Sequence, residues 1–480
     1  MNHKIYVTTT IPYVNARPHL GFALELVQAD AWARYQRLRG RDVRLQTGTD
    51  ENAFKNVLAA REHGVPTRQW VDDHSQAFRE LCVTLDIGVD DFIRTTEPRH
   101  RRGVKLLWQQ LRAGDVYRGR YNGLYCDGCE DFLTEKDLVD GCCPDHGVPP
   151  AACEEDNYFF RLQSYQGQLE QIIESDRLRI IPAKRKNEVS AFVRRGLQDI
   201  CISRNASRSD GWGIAVPGDS SQVIYVWIDA LVNYITGPGF GTQECWRDWW
   251  NEDVRKIHFI GKNVWKFHAV YWPALLLSAG LPLPDEIVVH GFLTEHGRKI
   301  SKSRGTDADP VRFVDQYGAD ALRYYLLRAV SPFDDGDFSA ERLHQLYHAD
   351  LANGLGNLVC RVTTLAQRIN YDGFDPASPP AVPERFQEAL DTYRTDIALQ
   401  AIWSVVNRLN REIDQTRPWE LFKCQETGPL RGLLAGWLSD IHRVAYWVAP
   451  FLPATSKKLL SLLRQRPLAA APPLFPRVGR

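Results

Sequence analysis

Long apolar runs are missing from this chain of 480 residues. None reaches the roughly 18 residues that a membrane-spanning helix requires, so a transmembrane helix is excluded. An excess of one charge is missing too: Lys+Arg and Asp+Glu each number 59, for a formal net charge of zero. A basic coat for sequence-independent nucleic-acid binding is therefore not expected, although a local basic face fits within that balance. Met1–Thr10 carries one Lys ahead of a strand-like run. It lacks the charged n-region, long apolar h-region and small-residue cleavage site of a signal peptide. No internal repeat and no low-complexity tract is present. The expectation is a cytoplasmic protein without membrane contact.

What is present suits a folded protein. Hydrophobic residues make up 44% and charged residues 25%, and the length suits about two to four domains. Of the ten cysteines, five fall between Cys126 and Cys153. In a large chain without an export signal that clustering reads as metal binding rather than disulfides.

Lys4–Ile11 (KIYVTTTI) is β-branched and aromatic and predicts a buried strand. A turn-rich stretch, Pro12–Gly21, leads into a predicted helix, Phe22–Leu38, with Leu24, Val27, Ala31, Tyr35 and Leu38 on one face. Asp42–Thr47 predicts a second strand. Strand, loop, helix and strand open a βαβ unit and imply an α/β fold with a parallel sheet. From about Tyr117 to Pro150 Cys, Gly and Pro become dense, as in an inserted, metal-pinned module. Strand-like runs return at Gln222–Trp227, Lys256–Ile260 and Glu286–Val289, as a resumed α/β sheet requires. Beyond about Ser331 the amphipathic stretches Arg342–Ile369, Pro383–Gln415 and Pro429–Leu463 predict an all-α bundle. The Pro- and Ala-rich tail, Pro467–Arg480, is expected to lie extended on the surface.

Two loops carry candidate chemistry. Pro12–Phe22 (PYVNARPHLGF) joins the first strand to the first helix, where doubly wound sheets bind ligands. A Gly at the helix start lets a nucleotide approach the backbone, and the helix N-terminus attracts phosphate. Gly297–Thr306 (GRKISKSRGT) offers Lys299 and Lys302 around a Ser in a Gly-bounded loop able to close over a triphosphate. Either loop alone is also what a turn or a solvated basic loop looks like.

Together they resemble the paired HIGH and KMSKS motifs of class I aminoacyl-tRNA synthetases. PYVN-x-x-PHLG, TGTDEN, YVWIDALVNY, FIGK-x3-KFHAVYWPA, VHGFL, KISKS and DALRYYLLR narrow the resemblance to the methionyl-tRNA synthetase family, in the family's order and over nearly the whole chain. The resemblance implies a Rossmann-type doubly wound catalytic domain in two halves, 1–116 and 216–330. It further implies a connective-peptide insertion with a zinc knuckle at 117–215 and an α-helical anticodon-binding domain at 331–480. The implied reaction joins an amino acid to ATP as an aminoacyl-adenylate and passes the acyl group to the terminal ribose of tRNA(Met). Catalysis of that kind is positioning plus stabilisation of phosphate charge.

By resemblance, His19 and Gly21 hold the ATP phosphates and adenosine, and Lys299 and Lys302 neutralise the leaving pyrophosphate. Asn263 and His290 line the ribose and adenine region, and ATP arrives with Mg2+ held mainly by its phosphates and water. Asp50 matches the residue that receives the substrate ammonium. Tyr13, Trp227, Ala230, Tyr234, Val264 and His268 match the methionine pocket, whose aromatic and apolar walls suit a thioether.

Cys126-x2-Cys129 and, thirteen residues on, Cys143-x2-His146 have the spacing of a closed structural zinc site, with Cys142 and Cys153 as rival ligands. Asn357, Arg361 and Trp419 resemble the family's readers of the CAU anticodon, whose splayed bases need stacking and planar donors. No additional dimerisation segment is evident, so a monomer is expected.

The sequence departs from the family at the ATP site. Phe22 replaces the second His of the HIGH-type motif, Asn52 and Ala53 replace His and Gly in GTDEHG, Asn263 replaces an Asp, and Ile300 replaces Met. These departures admit two other readings. One is a synthetase-like ligase of the hydrazine-synthetase type, passing the acyl group to an N-hydroxylated amine with a separate cupin partner. The other is a non-catalytic tRNA-binding paralog, against which the retained His19, Asp50, Lys299 and Lys302 argue.

Overall fold

The computed structural model describes residues 4–126, 131–133, 135–144, 147–295, 297–300, 309–372, 374 and 379–479. The chain forms two compact units, one of Met1–Pro18, Arg41–Glu80 and Val89–His290, the other of His19–Gly40, Leu81–Gly88 and Gly291–Arg480.

The first unit is built on a six-stranded sheet ordered Asp91–Arg94, Asp42–Thr49, Lys4–Thr9, Arg255–Gly261, Glu286–His290 and Arg179–Ile181. Every neighbouring pair is parallel. Lys4–Thr9 is central and buried from Ile5 onward. A strand covered on both faces reads as a continuous apolar run rather than an alternating one, which is why KIYVTT was legible. Its polar threonines are satisfied inside: Thr9 donates to Thr47 at 2.7 Å, and Thr8 Oγ1 meets His258 Nδ1 at 2.6 Å. Arg179–Ile181 is three residues long, too short for periodicity to reveal.

The region after Val116 forms an antiparallel sheet ordered Asp131–Leu133, Val116–Cys126, Ala151–Phe160 and Ile200–Cys201. The Gln222–Trp227 run is not part of the parallel sheet. Its strand is Asp219–Ile224, paired antiparallel with Ser203–Asn205 and Ala215–Val216. At Tyr225 the chain turns into a helix, Val226–Leu231, whose first bonds run from Ile228 and Asp229 N–H to the Tyr225 carbonyl. Trp227 therefore rides on a helix.

The second unit is mainly helical and includes Leu20–Leu38. The Pro383–Gln415 stretch is two helices, Glu384–Asp391 and Thr395–Thr416. Tyr393 breaks it at φ +61° and stacks on Trp32 with centroids 5.3 Å apart. Pro429–Leu463 likewise breaks, into Thr427–Trp447 and Pro453–Leu463, because Pro453 has no N–H to continue the ladder. The freed carbonyls of Pro450 and Phe451 accept bonds from buried Arg323. The tail has no helix or strand among its described residues and is partly exposed, but it is anchored rather than lying wholly on the surface. Leu468, Ala471 and Phe475 are buried, and the Pro476 and Val478 carbonyls meet Tyr347 and His348. No helix among the described residues is long and apolar enough to cross a membrane.

Candidate functional site

In the first unit the expected amino-acid residues gather at the carboxyl ends of the parallel strands. Tyr13 and Asp50 form a parallel bridge, and the Asp50 N–H donates to the Pro12 carbonyl at 2.9 Å. Asp50 is buried. Its neighbour Glu51 points into a polar network: Arg94 grips it through Nε at 2.6 Å and Nη2 at 3.0 Å, and Thr49 and Thr96 donate to it. The Trp227 ring lies edge-on to Tyr13 at 6.1 Å and flat on Phe267 at 3.8 Å, with an interplanar angle of 3°. Trp227 Nε1 is buried with no hydrogen-bond partner among the described residues.

A second set of contacts joins Tyr234, Val264 and His268. His268 Nδ1 is 2.9 Å from the Val264 carbonyl, and Tyr234 Oη is 2.7 Å from His268 Nε2. A carbonyl only accepts, so Nδ1 carries a proton, and in the neutral imidazole Tyr234 donates to Nε2. Behind Tyr234 lies His258, ring centroids 4.1 Å apart. Burial, then the neighbouring His268 and Lys256, holds the His258 imidazole well below its usual pKa. Ala230 is buried on the same short helix as Trp227.

That helix is pinned from below. Asp229 accepts from Asn52 Nδ2 at 2.7 Å, and its other oxygen is 2.7 Å from His100 Nε2; His100 Nδ1 is 2.7 Å from Thr236 Oγ1. All four side chains are buried. Asn52, which stands where the family has His, thus ties the Asp50 segment to the helix carrying Trp227 and Ala230.

Asn263 and His290 sit at the ends of adjacent strands. Gly261 pairs in register with His290. A Cβ on Gly261 would lie 3.1 Å from Asn263 Oδ1 and 3.7 Å from the His290 ring. The missing side chain leaves that corner open to a ligand's backbone-close approach.

In the second unit His19 caps helix Leu20–Leu38, its Nδ1 accepting from the Gly21 N–H at 3.0 Å. A Cβ on Gly21 would lie 2.9 Å from His19 Cε1, so the ring position requires glycine there. Phe22 is buried. Arg298–Lys299 pairs antiparallel with Leu293–Glu295, Lys299 opposite Thr294. Gly297 turns between them at φ +72° and its N–H donates to Asp337 at 2.9 Å. Lys302 lies outside the described residues.

Asn357 and Arg361 share helix Asn357–Arg368, Asn357 being exposed. The Arg361 guanidinium lies 5.6 Å from the centre of the exposed Trp419 ring and pairs with Asp414 at 2.6 Å. Arg417 adopts φ +47° just before Pro418, which swings Trp419 out of line with helix Thr395–Thr416. The structure brings Arg361 and Trp419 together.

Of the expected zinc ligands, Cys126 and Cys143 are buried, while Cys129 and His146 lie outside the described residues. Cys142 is partly exposed, its backbone bridged to Val139. Cys153 accepts from Arg208 at 3.4 Å. Burial, then the nearby Glu155 carboxylate, pushes its thiol up.

A sequence profile of the family described as tRNA synthetases class I (M) matches residues 5–152 and 146–363. The chain belongs to this family of class I tRNA synthetases. Among its relatives, the methionine–tRNA ligase of Caldanaerobacter subterraneus subsp. tengcongensis is 41% identical over 480 residues, spanning 96% of this chain and 74% of that protein. The Brucella melitensis methionine–tRNA ligase is also 41% identical, spanning 96% of this chain and 92% of that one. Mycobacterium tuberculosis methionyl-tRNA synthetase in complex with methionyl-adenylate superposes with a TM-score of 0.90 at 38% identity, covering 98% of this chain and 99% of that one. Its apo form gives 0.83 at 36% identity, covering 99% and 98%.

Within this class I synthetase fold, Phe267, Asp229, His100 and the Glu51–Arg94 pair are site elements that sequence reasoning missed. Phe267 was within reach, lying inside the KFHAVYWPA motif. Asp229 and His100 are 129 residues apart, and no local pattern joins them.

Proposed function

We propose that the chain is a methionine–tRNA ligase, activating methionine with ATP and transferring the methionyl group to tRNA(Met). The observation that carries this is buried Asp50, whose backbone bridges that of Tyr13, together with the Tyr13 ring edge-on to Trp227 and Trp227 stacked on Phe267. A buried carboxylate receives an ammonium, and aromatic faces receive a thioether.

In the first step the methionine carboxylate attacks the α-phosphorus of ATP and pyrophosphate leaves. Asp50 holds the ammonium. Trp227, Tyr13, Ala230, Val264, Tyr234 and His268 hold the side chain. Asn263 and His290 receive the nucleoside, and His19, Gly21, Lys299 and Lys302 receive the phosphates. Magnesium arriving with ATP would offset part of the phosphate charge. In the second step the terminal ribose hydroxyl of tRNA displaces AMP from the acyl carbon. Arg361 and Trp419 support anticodon reading, a cation and an exposed ring being what a splayed base stacks on. No observation favours an amine acceptor with a cupin partner.

The test is charging of deacylated tRNA(Met) with labelled methionine and ATP. Strong charging is expected. A control synthetase that charges the same tRNA while this protein does not would overturn the reading.

The zinc proposal rests on the donor set. Cys126 and Cys143 are buried, soft donors, and the spacing supplies two more, Cys129 and His146. A closed tetrahedral site of this kind is structural. Metal analysis is expected to give about one zinc per chain, and Cys126→Ser to lose it. Clearly less than one equivalent in the purified wild type would refute the site.

A further inference from the structure

Helix Ala183–Arg194 and Trp265 frame an open cavity of about 750 Å3 in the first unit. Its apolar part is Phe192 and Trp265, both half-buried, packed edge to face with centroids 5.4 Å apart. Its rim includes Lys184, Asn187, Glu188 and Arg195.

The charges on this helix are not evenly engaged. Between Lys184 and Arg195 there are five cations and one carboxylate. Arg185 is taken by Glu188, Lys186 by Asp176 and Arg194 by Glu174, each at 2.6 Å. Lys184 and Arg195 make no ion pair among the described residues, and these are the two cations that line the cavity. Eleven residues of helix put them about 16 Å apart along the axis. The one carboxylate on the rim already has Arg185 as its partner. In a chain of zero net charge, an aromatic surface between two uncompensated cations is a local feature, not part of a general basic coat. Cations spaced along a groove with aromatic rings between them suit a single nucleic-acid strand, whose phosphates follow the charge and whose bases stack on the rings regardless of identity.

The location selects which strand. Trp265 follows Asn263 and Val264 directly on the turn leaving strand Arg255–Gly261. The cavity therefore begins two residues of chain from the candidate nucleotide and amino-acid contacts. The part of a tRNA that must reach those contacts is its single-stranded acceptor end. We propose that this cavity holds that end, with a base on Trp265 and Phe192 and backbone phosphates on Lys184 and Arg195. The proposal rests on the charging reading and adds to it a binding site outside the adenylate pocket.

The test separates activation from transfer. The Lys184→Ala/Arg195→Ala double variant is compared with wild type in methionine-dependent pyrophosphate exchange and in charging across tRNA and salt concentrations. Exchange is expected to stay within about twofold of wild type, while the KM for tRNA rises about tenfold. Because each single-strand phosphate contact contributes about 0.7 to the slope of log affinity against log salt, losing two should flatten that slope by about 1.4. Trp265→Ala should raise the same KM and Trp265→Phe should restore it. An unchanged tRNA KM and salt slope in the double variant, with exchange intact, would overturn the proposal, as would capture of an apolar small molecule without any effect on tRNA. If wild type exchanges pyrophosphate but charges no tRNA, the charging reading fails. Equal binding of an acceptor-stem minihelix with a single-stranded 3′ end to wild type and the double variant then removes this site too, whereas weaker binding by the variant retains it.

Discussion

Asp50→Asn will remove most methionine activation while leaving the fold in place. Asp50 is buried, and its backbone bridges that of Tyr13, so a bound ammonium would exchange water for its carboxylate. Truncating one partner of a buried, hydrogen-bonded charge pair costs about 2–5 kcal/mol, which is roughly 30- to several-thousand-fold in kcat/KM at 1.4 kcal/mol per decade. The neighbouring Glu51 cannot substitute. Its oxygens are held by Arg94, Thr49 and Thr96, and turning it would break all of these bonds and leave Arg94 with Asp72 alone. The substitution keeps side-chain size, and the Asp50 N–H bond to Pro12 is a backbone bond that survives. Pyrophosphate exchange against methionine concentration is the measurement, with thermal unfolding as the control. A loss below tenfold, or a loss accompanied by a large fall in melting temperature, would contradict the assignment of Asp50 as the ammonium partner.

How much of this was legible beforehand depends on whether the signal was local. The central strand was legible because burial on both faces leaves a continuous β-branched run. The Asp50 and Trp227 segments were legible because whole motifs survive in them. Trp227 was nevertheless expected on a strand, since a short apolar run such as QVIYVW fits strand and helix alike. The departures at Phe22 and Asn52 were visible as substitutions, but their meaning was not. Phe22 has no donor to offer and its ring is buried, and Asn52 donates to Asp229. That network joins residues 52, 95, 100, 229 and 236, and pairing at such separations is set by the tertiary fold. The tail misled for a related reason: its Pro-rich composition does signal the absence of helix, but not that Leu468, Ala471 and Phe475 fill a surface left by other helices.

The largest stability effect is expected at Arg323, inside the second unit. Arg323 is fully buried, with Nη2 2.6 Å from Asp30 and 3.0 Å from the Pro450 carbonyl, Nε 2.8 Å from the Phe451 carbonyl and Nη1 3.1 Å from the Leu85 carbonyl. The two carbonyls at the Pro453 break need a donor, and so does buried Asp30 on the helix that begins at His19. One planar fork serves all of them, which a lysine ammonium cannot do with a single point of charge. Asp30 keeps Arg34 at 2.8 Å and the Gly88 N–H at 2.8 Å, so its charge would not be wholly abandoned by a substitution. Breaking a buried pair by removing one partner still costs about 3–5 kcal/mol. At roughly 2–4 °C per kcal/mol for a unit of this size, Arg323→Met should lower the melting temperature by about 10 °C. Arg323→Lys should recover less than half of that. Calorimetry of the three proteins decides it: a fall under 3 °C for Arg323→Met, or full recovery by Lys, would mean that the carbonyls and Asp30 find other donors. Because Asp30 and His19 share one helix, the Met variant should also bind ATP more weakly well below its melting temperature, whereas Asp50→Asn should weaken methionine binding and leave the melting temperature alone.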